Sequence, residues 1–419
     1  MASTSRPKLR RLERQTLERD GERLLVIRDP LELCEPFAID HDYAPVLDAL
    51  DGQRTVDQVR QSLMMRGLAT VDREDLHDFV ADLGDAGLLD DDRFRALWAA
   101  AHEAFVETER RAARRAGLLY PEDAQTLRTW LAPILPSEPP PAPSASLAAN
   151  EGPSAGWTEP PLAVVVPHQP PPVLGPSLRR LLANLGEPER YARVVILATD
   201  HSPGLLPYAS ADKDWETPLG LVPADLATLA ALDSRVPWLL REQIRLRTND
   251  PSEWAALLLR ALWGERCPPI VPIACGQTRL TTKDGRARSD ELTGALEVLL
   301  GDPSSNQGRT LWWTAAELSH LGPAFGHASL PERAEVLDAD RAMLAPLLDG
   351  KPHALAAACM EREPSQRPSG TAALVTLAEL LPLGYRAHLL DQLILPAPGS
   401  SQQHTTGWIG APIIQVQAR

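Results

Sequence analysis

The chain has 419 residues, a formal net charge of −14, and ordinary hydrophobic (44%) and charged (23%) fractions. That length accommodates two domains with a sizeable core. The acidic balance excludes duplex nucleic acid and an anionic membrane face as main partners, and no apolar run is long enough to span a bilayer. Met1–Arg14 is basic but leads into no apolar segment, so it does not read as a secretory signal. Cys34, Cys267, Cys275 and Cys359 follow neither zinc nor disulfide-framework spacing, which points to reduced thiols in a cytoplasmic protein.

In chain order, Arg23–Asp29 reads as a strand stopped by Pro30. Tyr43–Leu50 reads as a helix closed by Asp51-Gly52. Thr55 caps an amphipathic helix carrying Val56, Val59 and Leu63, and Asp72 caps a third with Leu76, Val80 and Leu83. Residues 1–92 are therefore expected to form a small α+β domain of winged-helix type, closed by Gly87-Leu88-Leu89. Arg93–Ala116 predicts one long helix. Proline numbers 40, above the average usage of roughly 5%. Part of that excess lies in a Pro/Ser/Ala stretch at about 136–161, expected to be a flexible insertion without chemistry.

Beyond it, strands and helices alternate. Strands are expected to Val166 and Leu197, over Ile270–Ala274 and Thr310–Trp313, and near Trp408–Val416. Helices are expected over Ser177–Leu185, Pro223–Ala231, Ser252–Trp263, Ser289–Leu300, about Asp338–Leu348 and Gly370–Leu381. Ala354–Met360 reads as buried helix, making Cys359 a core residue. This alternation predicts an α/β fold over residues 93–419, with a mostly parallel sheet covered by helices on both faces.

Two short β-branched runs end in a histidine: Ala163–Pro167 leads to His168, and Val194–Asp200 leads to His201. Runs of this kind are strands buried on both faces, and the carboxyl ends of such strands form the ligand crevice. Either each imidazole is a polar cap on its strand, or the two share one metal ion. No nucleophile elbow, Walker loop or dinucleotide glycine loop is present.

The segments Arg115–Pro121 ("R.AG..YP"), Val166–His168 ("PHAG"), Val194–His201 ("RVVILGPSH"), Thr217–Asp225 ("TPLG..P.D"), Ile270–Gly276 ("I.P..VG"), Ala316–Gly322 ("SDFCHWG") and Gly407–Gly410 follow one another along the chain. In that order they resemble the Memo family, the B component of the bacterial AmmeMemoRadiSam group. The resemblance implies a fold similar to class III extradiol dioxygenases. It also implies a metal held by two histidines, here His168 and His201, and a cysteine. The first ninety residues, with Asp51–Leu63 and Arg28–Leu31, resemble the small peptide-recognising modules typified by the peptide chaperone of pyrroloquinoline quinone biosynthesis. That resemblance implies a protein or peptide partner; the same unit could equally be a packing or dimerisation module.

The chain departs from the family pattern at several places. The cysteine position falls on Pro364 or Ser365, the histidine of "EHS.E" is lost within Asn249–Glu253, the glycine after "PHA" is Pro170, and the aspartate of "SDFCHWG" is Glu317. Two expectations follow. In the first, the metal site is degenerate and the protein binds or scaffolds a partner. In the second, it is a non-haem oxidoreductase whose Fe(II) or Cu is held by His168, His201 and Glu363. A carboxylate in place of thiolate would favour iron over copper. His320 would then move a proton, oriented by Glu317. Glu363 could instead be a solvated charge of the Glu361–Glu363 run.

Overall fold

The structure is a computed structural model; it describes residues 6–19, 22–67, 72–136, 160–202, 204–300, 309–400 and 405–418. Almost all of the proline-rich stretch at 136–161 lies outside the described residues. The chain divides into two compact units, Met1–Glu107 and Thr108–Arg419.

In the first unit, β1 (Glu13–Arg19), β2 (Glu22–Arg28) and β3 (Phe37–Asp40) form an antiparallel sheet in that order. Helices Ala44–Ala49, Val56–Met65, Arg73–Asp85 and Asp92–Glu107 follow. The capping logic of the sequence is realised: Thr55 and Gln58 form a reciprocal capping box, and Asp72 accepts from the Glu74 N–H. Each such cap is worth about 1 kcal/mol. Leu25, Ile27, Leu47, Val59, Leu63, Leu76 and Leu83 share one buried core. Arg10 and Asp29 form a buried ion pair at 2.8 Å, and Asp29 also accepts the N–H groups of Leu31 and Leu33. The Asp-Pro that reads as a strand stop is thus the centre of a hydrogen-bonded turn.

The second unit is an α/β fold. Its short strands β4 (Arg110–Arg111), β8 (Asp214–Thr217) and β9 (Gly220–Val222) form a small side sheet. The main sheet holds β5 (Ala163–Val166), β6 (Arg193–Thr199), β7 (Tyr208–Ser210), β10 (Ile270–Cys275), β11 (Thr310–Ala315), β12 (His320–Leu321), β13 (Arg386–Pro396) and β14 (Trp408–Gln417). Its order is β12-β14-β5-β11-β6-β10-β7, with β13 also pairing β14. The four central strands β5-β11-β6-β10 are mutually parallel. Antiparallel strands close both sides.

The central strands are apolar without alternation because both faces are covered. Helix Thr371–Leu380 is buried over most of its surface, and shares a core with Val195, Leu197, Val271, Ile273, Trp312 and Ile414 on one face. Helix Asp250–Trp263 lies against the same strands but outside that cluster, and covers the other face. Cys359 is buried as expected, Trp312 and Trp313 are buried as well, and burial pushes the Cys359 thiol up to about 12. Among the described residues, no helix is long and apolar enough to cross a membrane.

Candidate functional site

Three adjacent parallel strands deliver one polar residue each to the same edge. β5 ends at Val166 and β11 at Ala315, which are register partners; Ala315 also pairs with Ala198 of β6. Two residues past the ends of β5, β6 and β11 lie His168, His201 and Glu317. The middle strand, β11, carries the carboxylate between the two imidazoles. His320 opens β12, and pairing with Ile409 of β14 turns it back toward Glu317. This is the carboxyl-end crevice of an open α/β sheet.

The side chains meet. His168 Nε2 and His201 Nε2 are 3.1 Å apart, with ring centroids at 5.2 Å. Glu317 Oε2 lies 3.3 Å from His168 Nε2 and 3.5 Å from His320 Nε2. Glu317 Oε1 accepts a 2.7 Å hydrogen bond from Gln169 Nε2. His320 Nδ1 is 2.9 Å from the Leu318 carbonyl, and its ring stands edge-on to Phe325. Glu317 is buried, His168 nearly so, while His201 is exposed.

Burial pushes the His168 imidazole down to about 4, with repulsion from His201 and His320 added and Glu317 pulling the other way. Burial also works against charge on Glu317, but His168, His320 and the Gln169 amide hold its carboxyl well below the usual range. At neutral pH the cluster is a neutral His168 beside an ionised Glu317.

Glu363 lies on helix Leu355–Gln366, but its side chain is outside what the structure describes. On the same helix, Ser365 is exposed and its hydroxyl donates to the Arg362 carbonyl. The following loop does reach the crevice. The Gly370 N–H donates to the Glu317 carbonyl, and any Cβ at Gly370 would meet Glu317 backbone N at 2.7 Å. Gln277, two residues past β10, donates to the carbonyls of Pro368 and Ser369.

Two imidazole nitrogens on one ion at about 2.0–2.1 Å stand roughly 2.9–3.4 Å apart for bond angles near 90–110°. The histidine pair meets that spacing. A third donor is lacking: among the described residues, no group of three or more His, Cys, Asp or Glu side chains could hold a metal ion. Among the described residues, His168 Nδ1 is also buried without a hydrogen-bond partner, whereas a ligating imidazole ordinarily has its second nitrogen anchored. The described residues do not make up a complete metal site.

Residues 111–385 match the model of the Memo-like protein family. The chain belongs to that family. A MEMO1 family protein of Thermus thermophilus is 27% identical over 348 residues, covering 82% of this chain and 95% of that protein. A MEMO1 family protein of Aquifex aeolicus is 22% identical over 302 residues, covering 72% of this chain and 73% of that one. The Thermus match is longer than residues 108–419, so part of the first unit of this Memo-family chain is shared as well.

Sequence reasoning missed two parts of the site. Gln169 stands beside His168 with no motif to mark it as the partner of Glu317. Behind His201, Asp200 is paired with Arg245, which also contacts Glu242 at 2.6 Å. Asp200 accepts the Ser202 N–H, and Glu242 accepts those of Leu205 and Leu206. This network pins the backbone that carries His201. Asp250, where the family pattern has a histidine, is paired with Arg115.

Next to His320, Ser319 donates both its N–H (3.3 Å) and its hydroxyl to buried Asp340 Oδ1. Burial raises the Asp340 carboxyl to about 6, although the Ser319 hydroxyl and N–H donate to it. The folded state therefore holds this proton more tightly than the unfolded chain. Its stabilisation is complete below about pH 4 and is lost as the pH rises through about 6. Asp340→Asn should flatten the difference in urea stability between pH 5 and pH 8. It should also raise stability at pH 8, by up to about 3 kcal/mol. An unchanged pH difference in the variant would show that Asp340 does not titrate in this window.

Proposed function

We propose that this Memo-family protein is a non-catalytic binding or scaffolding protein, engaging a protein or peptide partner with its N-terminal module. The observation that carries the reading is the incomplete donor set around His168 and His201 among the described residues. Apart from His168 Nδ1, the polar groups there engage one another instead. The two Nε2 atoms face each other at 3.1 Å, and Glu317 is engaged by Gln169, His168 and His320.

The second reading, a non-haem iron or copper oxidoreductase, is favoured by one observation. The Nε2 separation is that of two ligands on one ion, with the Glu317 carboxylate close by. In that reading His168 and His201 hold the metal together with Glu363 or another carboxylate. The metal would supply redox chemistry, and His320, oriented by Glu317, would hold the proton.

Elemental analysis of protein purified without a chelating tag separates the two. The first reading expects iron and copper far below one equivalent, even after anaerobic Fe(II) addition, with no difference in His168→Ala/His201→Ala. Near one equivalent in the wild type, lost in the double variant, would replace it with the second.

A further inference from the structure

Helix Ala124–Leu131, the last turn of helix Asp250–Trp263 and the turn between β8 and β9 enclose a cleft of about 410 Å3. That volume falls in the range of roughly 300–1,000 Å3 usual for small-molecule sites. Leu131, Leu135, Leu219 and Ala261 give it an apolar lining, and its charged side chains are Arg128 and Arg260. Among the described residues no acidic side chain lines it, although the chain as a whole carries a net charge of −14. Gly264, also at the cleft, leads within a few residues into the start of β10. The cleft therefore lies on the amino-end side of the parallel strands, opposite the crevice of His168, His201 and Glu317, and shares no residue with it.

An arginine in the last turn of a helix ordinarily answers the free carbonyls there. Arg260 does so with part of its guanidinium: Nη1 donates to the Gly264 carbonyl at 2.9 Å, and Nε to the Leu219 carbonyl at 3.0 Å. Thr217 stiffens the turn that supplies Leu219, accepting the Leu219 N–H at 3.1 Å and donating to the Gly220 carbonyl at 2.7 Å. Gly220, at φ +115°, approaches so closely that a Cβ there would collide with Arg260 Nη2. The guanidinium is thus fixed, with Nη2 left without a hydrogen bond among the described residues. Arg128 is exposed, and among the described residues its side chain has neither a hydrogen bond nor an ion pair. Asp123, which caps the same helix, is engaged by the Thr126 N–H at 2.8 Å and hydroxyl at 2.7 Å.

Guanidinium N–H groups make charge-assisted bonds to carboxylate oxygens, and a donor already held in place loses little freedom on binding. The leucines beside them gain only if the ligand also brings apolar surface to bury. We propose that this cleft binds a small amphipathic carboxylate, its head on Arg128 and Arg260 and its hydrocarbon body on Leu131, Leu135 and Leu219. The Thr217–Gly220 segment then serves to hold Arg260 in place for the anion. This is a small-molecule site in the 108–419 unit, independent of the partner assigned above to the N-terminal module.

The test is calorimetric titration of the full-length protein with octanoate, with octylamine and inorganic phosphate as controls. Wild type should bind one equivalent of octanoate, and neither control should compete with it. Arg128→Gln should weaken binding roughly tenfold to a hundredfold, and Arg128→Lys, which keeps the charge but not the fork, should fall between. Leu135→Asp should abolish binding by placing a carboxylate in the apolar wall. Arg128 is exposed and without partners, so its variants keep the test open if Leu135→Asp misfolds. Absence of saturable octanoate binding by wild type would overturn the proposal, as would equal binding of octylamine or binding untouched by the Arg128 and Leu135 substitutions. Binding that emerges only after residues 138–158 are deleted would assign the cleft to the chain's own segment, and overturn the external ligand.

Discussion

Arg245→Met is expected to destabilise the 108–419 unit by about 3–5 kcal/mol. The Arg245 side chain is 1% exposed and its partner Asp200 is wholly buried. The guanidinium donates to Asp200 at 2.7 Å, to Glu242 at 2.6 Å and to the Leu206 carbonyl at 2.8 Å. Gly276 approaches so closely that a Cβ there would lie 2.9 Å from the guanidinium. Removing the cation leaves two carboxylates facing each other away from water, and such an uncompensated charge costs more than the pair contributed. The loop from Asp200 to Pro207 should loosen with it, taking His201 away from His168. Urea unfolding followed by tryptophan fluorescence reports chiefly on this unit, which holds nine of the ten tryptophans. Asp200→Asn and Glu242→Gln added to Arg245→Met should recover part of the loss by removing the stranded charges. A loss below about 1 kcal/mol for Arg245→Met would mean that water reaches the network.

Glu253→Ala should have an effect of similar size, about 3–5 kcal/mol, for a related reason. Glu253 lies on helix Asp250–Trp263, paired with Arg111, both side chains buried. Its other oxygen accepts from the Tyr120 hydroxyl at 2.5 Å and from the Arg115 N–H at 2.8 Å. Burial, together with the Glu253 charge, pushes the Tyr120 phenol far above its ordinary value, so the hydroxyl remains a donor at any ordinary pH. The truncation strands a cation, a hydroxyl and a backbone N–H together. Arg111 also stacks over Trp215 at 4.6 Å, so the emission of the folded protein should shift along with the unfolding midpoint. Glu253→Gln keeps an acceptor but loses the charge and should fall between the two. Equal stability of Glu253→Ala and wild type would show that the pair is not desolvated in solution.

This same glutamate explains a helix that the sequence reading overextends. Arg93–Ala116 has helix-forming alanines and arginines to its end, yet the helix stops at Glu107. Helical propensity is worth only tenths of a kcal/mol per residue. Against it stand the buried pairing of Arg111, the hydrogen bond to the Arg115 N–H and the β4–β8 pairing. The reverse occurs at β13, which local pattern does not announce. Its polar Asp391 and Gln392 interrupt an apolar run, and the strand exists because β14 offers it an antiparallel partner across a register shift.

The sequence alone determined the central parallel strands, because a strand buried on both faces must be apolar without alternation. It determined the capped helices of the first unit, where Thr55 and Asp72 answer unsatisfied N–H groups within a few residues. The positions of His168 and His201 beyond their strands were equally legible, since a strand end is a local event. Only the tertiary structure decided which strands lie side by side, and hence that β11 puts Glu317 between the two imidazoles. It alone paired Gln169 with Glu317 and Arg245 with Asp200. Such partnerships join residues 45 to 148 positions apart. No local pattern encodes them, because their energy comes from burial that exists only once the sheet has closed around them.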